Sequence, residues 1–145
     1  MKSFPGSNAV DYFERKENRN WNSTTVKYCV AGSPFLCDFA DHVKIRTVYM
    51  DEMNYYTRDY NTSAEQMYQT MNLVDNINLS GLIRCPVLMG VGLFDDDCPP
   101  RIGFAAFGNI RAEKEYHILP EKAHPLGKEW HQYYRNWLRK KFGLE

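Results

Sequence analysis

The sequence predicts an α/β fold with parallel strands and packed helices. Three observations predict it. Val87-Leu88-Met89-Gly90-Val91 is a continuous apolar run without alternation, which suits a strand covered on both faces, as in a parallel sheet. Strand-like and helix-like segments alternate along the chain, the order expected of a sheet with helices packed on it. The last segment carries Trp130, Tyr133, Tyr134, Trp137 and Leu138 on one helical stripe.

The elements follow in order. Residues 1–25 are polar and irregular, with the run Asn18-Arg19-Asn20-Trp21-Asn22-Ser23-Thr24-Thr25 suiting no element. Residues 26–145 are assigned to the α/β domain. Val26–Ala31 reads as a short strand stopped by Gly32-Ser33-Pro34. Residues 43–60 show no clean period and are assigned to no element. Thr62 opens a helix through the capping-box spacing Thr62-x-x-Glu65. Ala64, Met67, Tyr68 and Met71 supply its apolar face. A polar connection, Asp75–Gly81, leads to a strand over Ile83–Gly92, with Pro86 confined to its start. Pro99-Pro100 begins a helix carrying Ile102, Ala105 and Ala106, which stops near Gly108-Asn109. Glu115–Leu119 alternates and reads as the third strand. Arg139, Lys140 and Lys141 close the last helix, where cations match the dipole.

Composition excludes several classes. A chain of 145 residues fits one domain. Its 18 basic and 18 acidic side chains cancel, so no footprint for nucleic acid or an anionic membrane is expected. No apolar run reaches the roughly 18 residues that span a bilayer. Met1-Lys2-Ser3-Phe4-Pro5-Gly6 has no apolar signal region, and a cytoplasmic location is the expectation. Cys29, Cys37, Cys85 and Cys98 form no C-x-x-C pair and read as buried free thiols.

Asp95, Asp96 and Asp97 end the central apolar run, at the carboxyl end of a strand, where open α/β sheets place their sites. One reading is a turn, because aspartate caps turns and helix starts. A second is a metal site, but adjacent side chains diverge and do not converge on one ion. The third pairs Asp95 with His124, 29 residues later and after the next strand. Aspartate then histidine, each following a strand, is the chain order of a Ser…Asp…His triad. There the carboxylate fixes the imidazole tautomer and the imidazole takes the serine proton. His42 and His117 lie on faces without evident partners, and His131 is helical. His124, Glu129 and His131 lack the spacing of a helical zinc motif. No metal and no cofactor are expected.

"CPVLMGVGLFDDDCPP" (85–100), "FAAF" (104–107), "KEYHILPEKAH" (114–124), "SPFLCDF" (33–39) and "LVDNINLSGLIRCPVL" (73–88) together resemble the C-terminal part of acetyl xylan esterases related to cephalosporin C deacetylase. The resemblance covers roughly residues 26–140. It implies a partial α/β-hydrolase fold, a small acetylated carbohydrate or cephalosporin C as substrate, no metal, and association as a homo-oligomer. By it, Asp95 in "GLFD" matches the triad aspartate and His124 the triad histidine. Asp96 and Asp97 match no catalytic position, and Cys98-Pro99-Pro100 matches the turn that starts a helix. Family members usually continue His-Glu-Gly-Gly, whereas this chain has His124-Pro125-Leu126-Gly127.

The nucleophile is the missing part. A nucleophile elbow reads Gly-x-Ser-x-Gly, and the 145 residues contain none. Pro5-Gly6-Ser7-Asn8-Ala9 keeps Gly-Ser without the flanking glycines, so Ser7 is the candidate the chain offers. Ser33 matches no nucleophile. Losing the nucleophile of such a triad costs on the order of 10⁶ in rate. The expectation is therefore the C-terminal portion of an ester hydrolase, inactive alone. A non-catalytic paralogue that binds a partner through an open edge at residues 26–31, and a peptidase or dienelactone-hydrolase relative, stand beside it.

Overall fold

The computed structural model describes residues 26–42, 44 and 48–144. Its strands are β1 (Cys29–Gly32), β2 (Val87–Gly92) and β3 (Lys114–Leu119). Its helices are α1 (Phe39–His42), α2 (Val48–Asp59), α3 (Ala64–Met71), α4 (Asn76–Leu79), α5 (Pro100–Asn109) and α6 (Gly127–Lys141). A 3₁₀ turn over Ser80–Leu82 follows α4.

The sheet has the order β1-β2-β3 and both pairings are parallel. Gly32 sits opposite Gly90, and Gly92 opposite Leu119. The strands therefore end at one edge, and the segments after them open side by side. All six residues of β2 are buried, as expected for a central parallel strand with helices on both faces. The outer edge of β1 pairs with no strand among the described residues.

The pleat divides the core. Leu88, which has no exposed surface, packs with Leu119, Leu126, Trp130 and Trp137 beneath α6. Gly90 lies on the same side, two residues on. A β carbon there would sit 2.7 Å from the Trp130 ring, and one at Gly32 would sit 2.7 Å from Trp130 Nε1. The paired glycines thus form the hollow that takes the indole. Cys37, Ile102 and Ala106 form a second cluster around α5. Burying a side chain such as Leu88 or Ile102 contributes about 2–3 kcal/mol.

Several elements differ from the sequence expectation. The first strand starts at Cys29, three residues late. Residues 43–60, assigned to nothing, contain α2. Most of its described side chains are exposed, so it carries no strong apolar period to read. The α3 capping box is Ser63 with Gln66, one residue beyond Thr62 and Glu65. Ser63 Oγ accepts from the Gln66 N–H at 3.1 Å, and Gln66 Oε1 accepts from the Ser63 N–H at 3.2 Å. Met67 is buried on that helix and Ala64 exposed. Asp75 is no polar linker: it is 1% exposed. Its carboxylate accepts from the N–H groups of Asp38 and Phe39, both at 2.7 Å, and of Ile77 at 2.9 Å. It ties the loop after β1 to the start of α4.

The other histidines do have partners. His117 stacks on Tyr133 with centroids 3.8 Å apart. His42 is buried and stacks on Phe39. Lys141 is not simply solvated, since its Nζ lies 2.6 Å from Glu113 and 3.5 Å from Glu115. The four cysteines are free, three of them buried. Burial pushes the Cys37 and Cys98 thiols up to about 12 and Cys29 to about 11. Among the described residues no helix is long and apolar enough to cross a membrane.

Candidate active site

Strand β2 ends at Gly92, and Asp95 turns back so that its N–H donates to the Gly92 carbonyl at 3.3 Å. The Leu93 and Phe94 N–H groups donate to the carbonyls of Leu119 and Lys122, at 3.3 and 2.9 Å. These bonds stitch the loop after β2 to the loop after β3. The fit is close: a β carbon at Gly92 would lie 2.5 Å from the Lys122 carbonyl oxygen and 2.6 Å from that of Ala123. Only glycine lets the two loops approach so nearly.

That approach brings Asp95 to His124. The Asp95 side chain is 1% exposed and the His124 imidazole 44%, and Oδ2 lies 3.3 Å from Nδ1. Oδ2 is buried without a hydrogen-bonded donor. The 3.3 Å separation is within hydrogen-bond reach. Oδ1 does a different job, accepting from the Cys98 N–H at 2.7 Å. Oδ1 thus makes the turn contact, while Oδ2 faces His124 Nδ1 at 3.3 Å. Asp96 is exposed and Asp97 half-buried, so the three carboxylates diverge. Burial of Asp95 with its imidazole neighbour can fix one His124 tautomer, leaving Nε2 as the nitrogen that exchanges a proton.

Two positions escaped the sequence reading. Ser33 Oγ donates to the His124 carbonyl at 3.1 Å, and its own N–H donates to Gly90 at 3.0 Å. It anchors the histidine loop to the end of β1, across 91 residues. No local pattern announces such a bond. Cys98 stands three residues after Asp95, and its Sγ, an Asp95 oxygen and a His124 nitrogen lie within 4.8 Å of one another. The Asp-x-x-Cys spacing in a turn was the available signal.

Each serine among the described residues has a hydrogen-bond partner. Ser33 bonds the His124 backbone, Ser63 caps α3, and Ser80 donates to Ile77. None of these partners is the His124 imidazole. Ser7 lies outside the described residues. After His124, Leu126 is buried and Gly127 takes φ +76° at the start of α6. A separate cleft of about 600 Å³, lined by Phe35, Phe39, Met53, Tyr56, Met67 and Met71 among others, includes neither Asp95 nor His124.

Comparison with known proteins agrees on one family. The acetyl xylan esterase family model matches residues 22–141. The acetyl esterase Axe7A of Xylanibacter ruminicola is 30% identical over 115 residues, covering 79% of this chain and 26% of that protein. Among solved structures, acetyl xylan esterase 1 from Thermoanaerobacterium sp. JW/SL YS485 superposes with a TM-score of 0.69 at 27% identity. Acetyl xylan esterase from Paenibacillus sp. R4 does so with 0.70 at 27% identity. Each superposition covers 81% of this chain and 38% of the other. The chain thus spans about a quarter of the curated relative and under two fifths of the solved ones. A puromycin hydrolase mutant at 18% identity and a TM-score of 0.55 shares the fold alone. A parallel three-stranded sheet with packed helices, the family match over most of the chain and these superpositions lead to one conclusion: this chain belongs to the acetyl xylan esterase family and has a partial α/β-hydrolase fold.

Proposed function

We propose that the chain carries the acid–base half of a serine-type acetyl-ester hydrolase, with Asp95 orienting and His124 transferring the proton. The observation that carries it is the buried Asp95 carboxylate 3.3 Å from His124 Nδ1, at the carboxyl end of the sheet. His124 takes the proton of a serine hydroxyl as it attacks the acetyl carbonyl, then returns it to the departing sugar alcohol. The substrates proposed for the whole enzyme are acetylated xylo-oligosaccharides or cephalosporin C, by family. The serine comes from outside the described residues, either Ser7 or another polypeptide segment. The lack of a Gly-x-Ser-x-Gly motif supports a second reading, a non-catalytic member of the family.

Hydrolysis of p-nitrophenyl acetate by the purified chain separates these readings, with His124→Ala and Ser7→Ala beside it. Activity lost in both variants makes Ser7 the nucleophile. Activity lost only with His124→Ala keeps the acid–base pair and places the serine elsewhere. Activity that survives His124→Ala refutes the role of the pair. A chain inactive from the start, and not rescued by an added segment bearing the family's nucleophile elbow, supports the non-catalytic reading.

A further inference from the structure

Among the described residues, Asp95, Cys98 and His124 are the one group of metal-ligating side chains gathered around a common point, their ligand atoms within 4.8 Å of one another. The donor set is mixed: one carboxylate oxygen, one sulfur, one imidazole nitrogen. Zinc takes such a set in tetrahedral sites, with about 2.0–2.3 Å to each ligand, and leaves a fourth position for water when the protein supplies three. Ligands around such an ion stand about 3.3–3.6 Å apart. Asp95 and His124 already stand at 3.3 Å, and the ligand atoms of all three residues lie within 4.8 Å of one another, so a closer approach of the thiol completes the set. Magnesium and calcium prefer all-oxygen shells and do not suit a sulfur donor.

A second observation points the same way. Asp95 Oδ2 is buried and makes no hydrogen bond, although the residue is only 4% exposed. A buried carboxylate oxygen without a hydrogen bond is costly; its polar neighbour is His124 Nδ1 at 3.3 Å, and a cation held between the two would engage both. The backbone is held for the task as well. The Cys98 N–H donates to Asp95 Oδ1 at 2.7 Å, fixing the two residues relative to each other, as outer bonds do around metal ligands. The half-exposed imidazole leaves a path from solvent.

We propose that Asp95, Cys98 and His124 form a binding site for Zn²⁺, and that zinc bound there silences His124. Binding forms a zinc–sulfur bond, breaks the Cys98 S–H bond and releases that proton to solvent, with no change of oxidation state. Zinc on Nδ1, the nitrogen 3.3 Å from Asp95 Oδ2, leaves the neutral imidazole's hydrogen on Nε2, so that nitrogen has no lone pair with which to accept a serine proton. Zinc binding rests on the geometry of the cluster and holds whether or not the chain is a working esterase; the silencing of His124 rests on the proposed function.

The test is titration of the full chain with Co²⁺, whose thiolate-to-metal absorption band reports sulfur ligation, followed by displacement with Zn²⁺. One equivalent of cobalt should produce the band and zinc should abolish it. Cys98→Ser should remove the band, and His124→Ala should weaken binding at least about tenfold. His124 is half-exposed, so its replacement leaves the fold in place even if Cys98→Ser does not fold. Cys37→Ser, which removes another buried thiol, should leave the band intact. No band at stoichiometric cobalt, or a band unchanged by His124→Ala, overturns the proposal. Where acetyl-ester hydrolysis is measurable, zinc should inhibit it and a chelator restore it. Absence of hydrolysis bears on the esterase reading and leaves the cobalt result standing.

Discussion

Replacing Gly92 by alanine tests how the site is assembled. The new β carbon would lie 2.5 Å from the Lys122 carbonyl oxygen and 2.6 Å from that of Ala123, where ordinary contact begins at 3.4 Å. Both obstacles are backbone, so they yield only if the loop after β3 retreats, by about 0.8–0.9 Å. That loop carries His124 one residue on. A retreat of this size lengthens the Asp95–His124 separation from 3.3 Å to about 4 Å, past hydrogen-bond reach. It also strains the bond from the Phe94 N–H to Lys122, now 2.9 Å. Overpacking of this kind costs about 1–3 kcal/mol. Urea denaturation should show the midpoint fall, and ¹⁵N spectra of the imidazole should show His124 losing its preference for the Nδ1–H tautomer. Gly108→Ala is the matched control. Nothing lies within 4 Å of a β carbon there, and alanine in a helix gains roughly 0.5–1 kcal/mol over glycine. If Gly92→Ala unfolds at the parent midpoint and keeps the parent tautomer, the close approach of the two loops does not hold the pair together.

Two further outcomes follow from buried polar groups. Asp75→Ala strands the N–H groups of Asp38, Phe39 and Ile77 and should cost about 3 kcal/mol or more in urea denaturation. Asp75→Asn should lose less because one acceptor oxygen remains, and a loss below about 1 kcal/mol for the alanine variant would contradict the role given to this residue. Burial holds the His42 imidazole below its ordinary 6.5, with Asp75 opposing in part. The folded state then binds fewer protons than the unfolded chain, so stability is full above about pH 6.5 and falls as pH drops through that value to the lower folded one. His42→Phe should flatten this acid-side loss between about pH 7 and 5, as followed by denaturation midpoints. An equally steep loss in the variant would assign the dependence to other groups.

The class of fold, its central strand and its last helix could be read from the order of residues alone. Val87–Val91 reads directly because burial on both faces forces an unbroken apolar run, and the structure buries every residue of β2. The stripe of α6 reads because one face meets the sheet. The nearness of Asp95 and His124 was legible because each follows a strand, and parallel strands deliver their following loops to one edge. Other features were illegible for equally physical reasons. Helix α2 lies mostly in solvent and so carries no period. The N–H groups that Asp75 caps include two 36 and 37 residues away, and a single aspartate in a polar stretch gives no sign of them. Only tertiary structure decided that the two oxygens of Asp95 take separate roles, that Ser33 holds the His124 carbonyl, and that Cys98 joins the pair. Those facts depend on how nearly two loops approach. That distance is set by the missing side chain at Gly92 and the register of β2 against β3, and neither is a property of any one stretch of sequence.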